Sequence, residues 1–175
     1  MSPPSVKFTP TGAALQELIL PSGRNLVLNF HTAGEYADNP LHFGATIGRV
    51  ANRLKGARLD CVDGKAWILD ANNGPNCLHG GHSGWGKKDW RGPTPVNVNG
   101  KECVEFKYLS AHLDEGFPGE VEVRVLYSAE EDKDRKFVVT IDYEAKLLGG
   151  ADETAVNITN HRQTPLLPKG GNISN

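Results

Sequence analysis

The chain has 175 residues, of which 38% are hydrophobic, enough for one domain with a buried core. Nineteen Lys and Arg against 21 Asp and Glu leave a formal net charge of −2 with no basic block, which argues against nucleic acid as a partner. No apolar run reaches the length of a membrane span, and the opening MSPPSVKFTPTG lacks a basic stretch followed by an apolar one, so neither membrane nor export is expected.

In chain order, LQELILP (15–21), RNLVLNFH (24–31) and AWILD (66–70) are β-branched or aromatic runs that predict strands, as do CVEFKYLS (103–110) and TAVNITNH (154–161). PSG, VDGK, NVNG and LLGG between such runs carry turn chemistry. The clearest alternation is EVEVRVLY (120–127), which puts Val121, Val123, Val125 and Tyr127 on one face and mostly charged residues on the other. KFVVTIDYEA (136–145) repeats it with Phe137, Val139, Ile141 and Tyr143. The charged SAEEDKDR between the two reads as a hairpin link. No long amphipathic helix competes, so the chain is expected to be all-β and antiparallel, a sandwich rather than a barrel. Three widely spaced cysteines, Cys61, Cys77 and Cys103, fit reduced thiols in a cytoplasmic protein. The end of the chain, HRQTPLLPKGGNISN, has prolines and adjacent glycines and no alternation.

GPNCLHGGHSGWGKKDW (74–90) sets His79 and His82 three apart among glycines. Those glycines prevent the helix that would aim both rings at one ion, so no metal is expected. Neither phosphate-loop pattern is present. What remains is either a sugar-binding loop, with imidazole donors and flat indoles for a sugar's C–H face, or a surface loop whose tryptophans face the core. On this segment alone the second is favoured.

Three further segments, FGATIGRVANRLKGARL (43–59), HLDEGFPGEVEV (112–123) and TAVNITNH (154–161), join NCLHGGHSGWGKKDW in order and spacing. Together they resemble the aldose 1-epimerase (galactose mutarotase) family over residues 10 to 161. The resemblance implies an antiparallel β-sandwich, the galactose mutarotase-like supersandwich. It also implies interconversion of the α and β anomers of free aldoses such as glucose and galactose, with no cofactor. Ring opening takes a proton from the C1 hydroxyl and delivers one to the ring oxygen, so it needs a base and an acid. By resemblance the general acid is His161, which ends NITNH, and imidazole chemistry near neutrality suits that task. His79, of LHGG, corresponds to the histidine that orients the sugar and steadies developing charge, and Asn52 and Arg53, of ANR, to the pair that contacts sugar hydroxyls. His82 and His112 are expected at the surface, Asp114 and Glu115 as polar turn residues, and Phe117 beneath the site. Arg49, Arg53 and Arg58 are the only arginines near enough to serve a sugar phosphate, and Arg53 is already assigned to hydroxyls, so free sugars are expected.

The family's general base is a glutamate in the C-terminal part, accompanied by a sugar-binding aspartate, and neither segment is found here. Sequence after His161 also departs from the family's aromatic-rich strand. The expectation is an incomplete sandwich: residues 1–161 as the N-terminal part of an aldose 1-epimerase-like domain, and 162–175 as a divergent tail. Unpaired sheet edges would then invite association. The alternative function is a carbohydrate-binding or vestigial chain without catalysis.

Overall fold

The computed structural model describes residues 4–38, 40–134 and 136–164. The tail expected to diverge from residue 162 therefore lies outside the described residues from 165 onward. Strands β1 (Ser5–Thr9) and β2 (Ala14–Ile19) form an antiparallel hairpin. A six-residue helix α1 (Ala33–Asp38), not anticipated from the sequence, follows, with Tyr36 buried. Next come β3 (Thr46–Ile47), β4 (Arg53–Leu54), the hairpin β5 (Arg58–Val62) with β6 (Lys65–Ile68), and β7 (Cys77–Leu78). Strands β8 (Arg91–Val98), β9 (Lys101–Ser110), β10 (Glu120–Glu131) and β11 (Phe137–Gly149) build a four-stranded antiparallel sheet in the order β11-β10-β9-β8. The last strand, β12 (Thr159–Asn160), returns to pair with β3, while β4 pairs with β7.

The alternation seen in the sequence is the core of this sheet. Val121, Val123, Val125 and Tyr127 are all buried, and register places Val125 opposite Tyr143 and Tyr127 opposite Ile141, so both strands turn the same face inward. Each fully buried aliphatic side chain there contributes roughly 1.5–3 kcal/mol. Phe137, Val139, Ile141 and Tyr143 are half-buried, because β11 is the edge of the sheet. The hairpin link is shorter than SAEEDKDR suggests: β10 continues to Glu131, and Asp132 Oδ1 accepts the amides of Asp134 and Lys136 to close the turn.

Two predicted strands are not continuous strands. In residues 24–31 a single bridge, Asn25 with Ile19, touches β2, where the Leu26 amide donates to the Leu18 carbonyl; the Asn25 side chain accepts the amides of Leu18 and Val27, and Leu28 donates to the Gln163 carbonyl, so no continuous ladder forms. In 154–161 only Thr159 and Asn160 pair. Before them Asn157 donates to the Arg49 carbonyl and accepts from the Ala51 amide, a single bridge.

Candidate active site

The short strands deliver the site residues. β4 and β7 pair Arg53 with Leu78, which sets Asn52 beside His79: the His79 amide donates to the Asn52 carbonyl at 2.9 Å, and the Asn52 amide donates to His79 Nδ1 at 3.1 Å. With its lone pair at Nδ1 engaged, the His79 ring carries its hydrogen on Nε2. β3 and β12 pair Thr46 with Asn160, so His161 follows directly, its amide donating to the Ala45 carbonyl at 2.8 Å. The Asn160 amide group donates to the Gly44 carbonyl and to the Tyr127 hydroxyl, anchoring the strand that carries His161 to the core. As a result two histidines 82 positions apart meet with ring centroids 5.2 Å apart at an interplanar angle of 80°.

A third imidazole stands with them. His42, not singled out from the sequence, lies 5.2 Å from His79 and 5.7 Å from His161, centroid to centroid. The available signal was adjacency, since His42 immediately precedes the FGATIGRVANR stretch. Burial pushes its imidazole down to about 4, helped by the nearby His79, His161 and Lys87. His79 is also lowered, by burial first and then by His161 and Arg53. Among the described residues no set of three histidine, cysteine or acidic side chains converges as a metal site would.

Backbone strain gathers here: His42, Asn52 and His79 all have φ between +54° and +60°, the left-handed region. Gly80 has to be glycine, because its φ is +86° and a Cβ there would strike the Gly48 carbonyl. Asn72 braces the same turn, donating to the Leu78 and Gly81 carbonyls and accepting the Leu78 amide. Asn52 and Arg53 are exposed beside the rings, and Arg53 Nε donates to Asn73 Oδ1 at 2.8 Å.

The indoles face the core, the reading favoured for this segment alone: Trp85 and Trp90 are 1% and 3% exposed, packed in the main core, with Trp90 Nε1 donating to the Trp85 carbonyl. Other expectations change. Glu115 is no idle turn residue, since its two oxygens accept the amides of His82 and Ser83 at 2.8 and 2.7 Å. Asp114 Oδ2 accepts the hydroxyls of Ser110 and Tyr108. Arg49, counted among the arginines near enough to serve a sugar phosphate, is 1% exposed and donates to the carbonyls of Pro118, Gly119, Ser110 and Ala111 and to the hydroxyls of Ser110 and Thr154. His82 and His112 are exposed as expected, although His112 Nδ1 accepts the Gly119 amide. Phe117 is buried, under the Arg49 guanidinium.

The short strands thus bring two imidazoles together beside an antiparallel β-sheet layer. The aldose 1-epimerase family model matches residues 4–165. The galactose mutarotase of Bos taurus is 38% identical over 147 residues, covering 83% of this chain and 39% of the relative. The bifunctional protein GAL10 of Pachysolen tannophilus is 40% identical over 148 residues, covering 80% of this chain and 21% of that protein. Among solved structures, the GalM/aldose epimerase homologue from C. elegans superposes with a TM-score of 0.75 at 32% identity, over 93% of this chain and 48% of that one. Galactose 1-epimerase from Lactobacillus acidophilus NCFM, 23% identical with a TM-score of 0.72, shares the fold. The chain belongs to the aldose 1-epimerase family, and it spans about two fifths of the length of the galactose mutarotases it matches.

Proposed function

We propose that this site binds a free aldose such as galactose or glucose and supplies the acid side of anomer interconversion. The observation that supports it most is the meeting of His79 and His161, ring centroids 5.2 Å apart, beside Asn52 and Arg53. In this reading His161 protonates the ring oxygen as the pyranose opens and recovers the proton on closure. His79, whose Nε2–H faces away from the Asn52 amide, donates to the oxygen where negative charge develops. Asn52 and Arg53 hold neighbouring hydroxyls through amide and guanidinium donors. Free sugars fit better than sugar phosphates, because Arg49 is an internal strut and Arg58 is paired with Asp60. Three free cysteines agree with a cytoplasmic setting.

The C1 hydroxyl also needs a proton acceptor. The polar side chains shown against His79 are His42, His161 and Arg53, and Glu115 is occupied by two backbone amides. This favours a second reading for the 175-residue chain on its own: sugar binding with little turnover, since an absent base costs roughly 10²–10⁴ in rate. Polarimetry of freshly dissolved α-D-galactose, with the buffer rate subtracted, separates the two when combined with NMR of the histidines. A rate above buffer that His161→Ala removes supports catalysis. Galactose-dependent shifts at His79 and His161 without added rate support binding alone. Absence of both would refute the sugar site.

A further inference from the structure

The two histidines assigned to the sugar do not pack on each other alone. His42 completes a triangle, its ring plane at 76° to His79 and 56° to His161, so each imidazole has the other two as walls. The backbone that places it is strained: φ is +54°, a conformation that costs roughly 1–2 kcal/mol for a residue with a Cβ, and the His42 carbonyl is held by the Ala45 amide at 3.1 Å. The ring's Nδ1 is buried with no hydrogen-bond partner among the described residues. It sits over the bare side of Gly86, where a Cβ would come within 3.5 Å of it.

We propose that His42 is a positioning residue of the sugar site, a flat buttress whose ring packs against both His79 and His161 and sets their tilt. The proposal rests on the sugar-binding reading above. A ring that backs both an acid and a donor has to remain uncharged, and the surroundings of His42 enforce that in two ways. The imidazolium carries an N–H on both nitrogens, Nδ1 included, where no acceptor stands among the described residues. Protonation would also add a cation facing Lys87 on the turn Trp85–Lys87, His79 after β7 and His161 after β12. The ring surface, rather than a nitrogen, is then the working part, so a phenyl group should replace it and a methyl group should not.

The test uses the full 175-residue chain, D-galactose as the probe, and histidine-detected NMR. Binding of galactose to His42→Phe is expected within about threefold of the unmodified chain, while His42→Ala binds about tenfold more weakly, because loosened rings no longer meet the sugar in register. Near-UV circular dichroism confirms that each variant is folded. Should His42→Ala not fold, His42→Leu, bulky but not flat, takes its place with the same expected loss. The imidazole missing from the His42→Phe spectrum is expected to stay neutral from pH about 7.5 to about 5 in the parent chain. Three results overturn the proposal: equal binding by His42→Ala, equal loss in His42→Phe and His42→Ala, or titration of the His42 ring near its ordinary value. If the parent chain shows no galactose response at all, the sugar-site reading fails first and the proposal falls with it, whereas a parent response that is indifferent to His42 defeats the proposal alone.

Discussion

The backbone amide of Asn52 donates to Nδ1 of His79 over 3.1 Å, fixing that ring as an acceptor on one side and a donor on the other. Burial, then His161 and Arg53, lowers its proton affinity. His79 is therefore expected to be the Nε2–H tautomer and neutral at pH about 7, as read by long-range proton–nitrogen correlation spectra. Detection of a hydrogen on Nδ1 at that pH would remove the donor assigned to it.

His42 ties stability to pH. Its folded-state affinity is pushed down to about 4 from an ordinary 6.5, so below 6.5 the unfolded chain binds a proton that the folded chain refuses. Stability is present above about 6.5 and is lost as pH falls toward about 4, by at most about 3 kcal/mol, and by less once solvent screening of the partly exposed ring is counted. Carboxylates titrate in the same range, so the informative quantity is the difference between the parent chain and His42→Phe in urea unfolding. A smaller loss on acidification is expected for the variant. Identical pH slopes would mean that His42 is not held neutral.

Glu115 is a brace for the loop that follows His79. Replacing it with Ala removes both acceptors of the His82 and Ser83 amides and is expected to cost about 1–3 kcal/mol of stability. Amide exchange at those two positions should accelerate by more than at distant β10. Glu115→Gln keeps one acceptor oxygen and should fall between. Unchanged protection at His82 and Ser83 in Glu115→Ala would show that the carboxylate does not hold the turn.

Arg49 joins the segment before Asn52 to the turn at 110–119 and to Thr154 through six hydrogen-bond acceptors in neutral groups. Burial lowers its guanidinium to about 10, still charged at neutral pH. A lysine cannot reproduce the planar fork, so Arg49→Lys is expected to lose about 2–4 kcal/mol in chemical denaturation. A loss below about 0.5 kcal/mol would place the strut elsewhere.

The alternation of Val121, Val123, Val125 and Tyr127 was decisive on its own: a period of two with charged neighbours has one half-buried solution, and β10 adopts it. The motifs named His79, His161, Asn52 and Arg53 as candidates, and the fold brings the two imidazoles together with Asn52 bonded to His79. Residues 24–31 carry the composition of a strand, yet only the fold decides that the Asn25 side chain and the Gln163 carbonyl capture their polar groups first. Composition likewise cannot tell an indole facing a sugar from one facing a core, and packing sent Trp85 and Trp90 inward. Arg49 looks like any loop charge until six oxygens from distant segments close around it. His42 is the plainest case. Its contacts lie 37 and 119 positions away, and only the return of β12 to β3 and the pairing of β7 with β4 bring those rings to it. Local sequence determines which face a strand buries, whereas contacts between remote segments depend on which strand ends the tertiary fold places side by side.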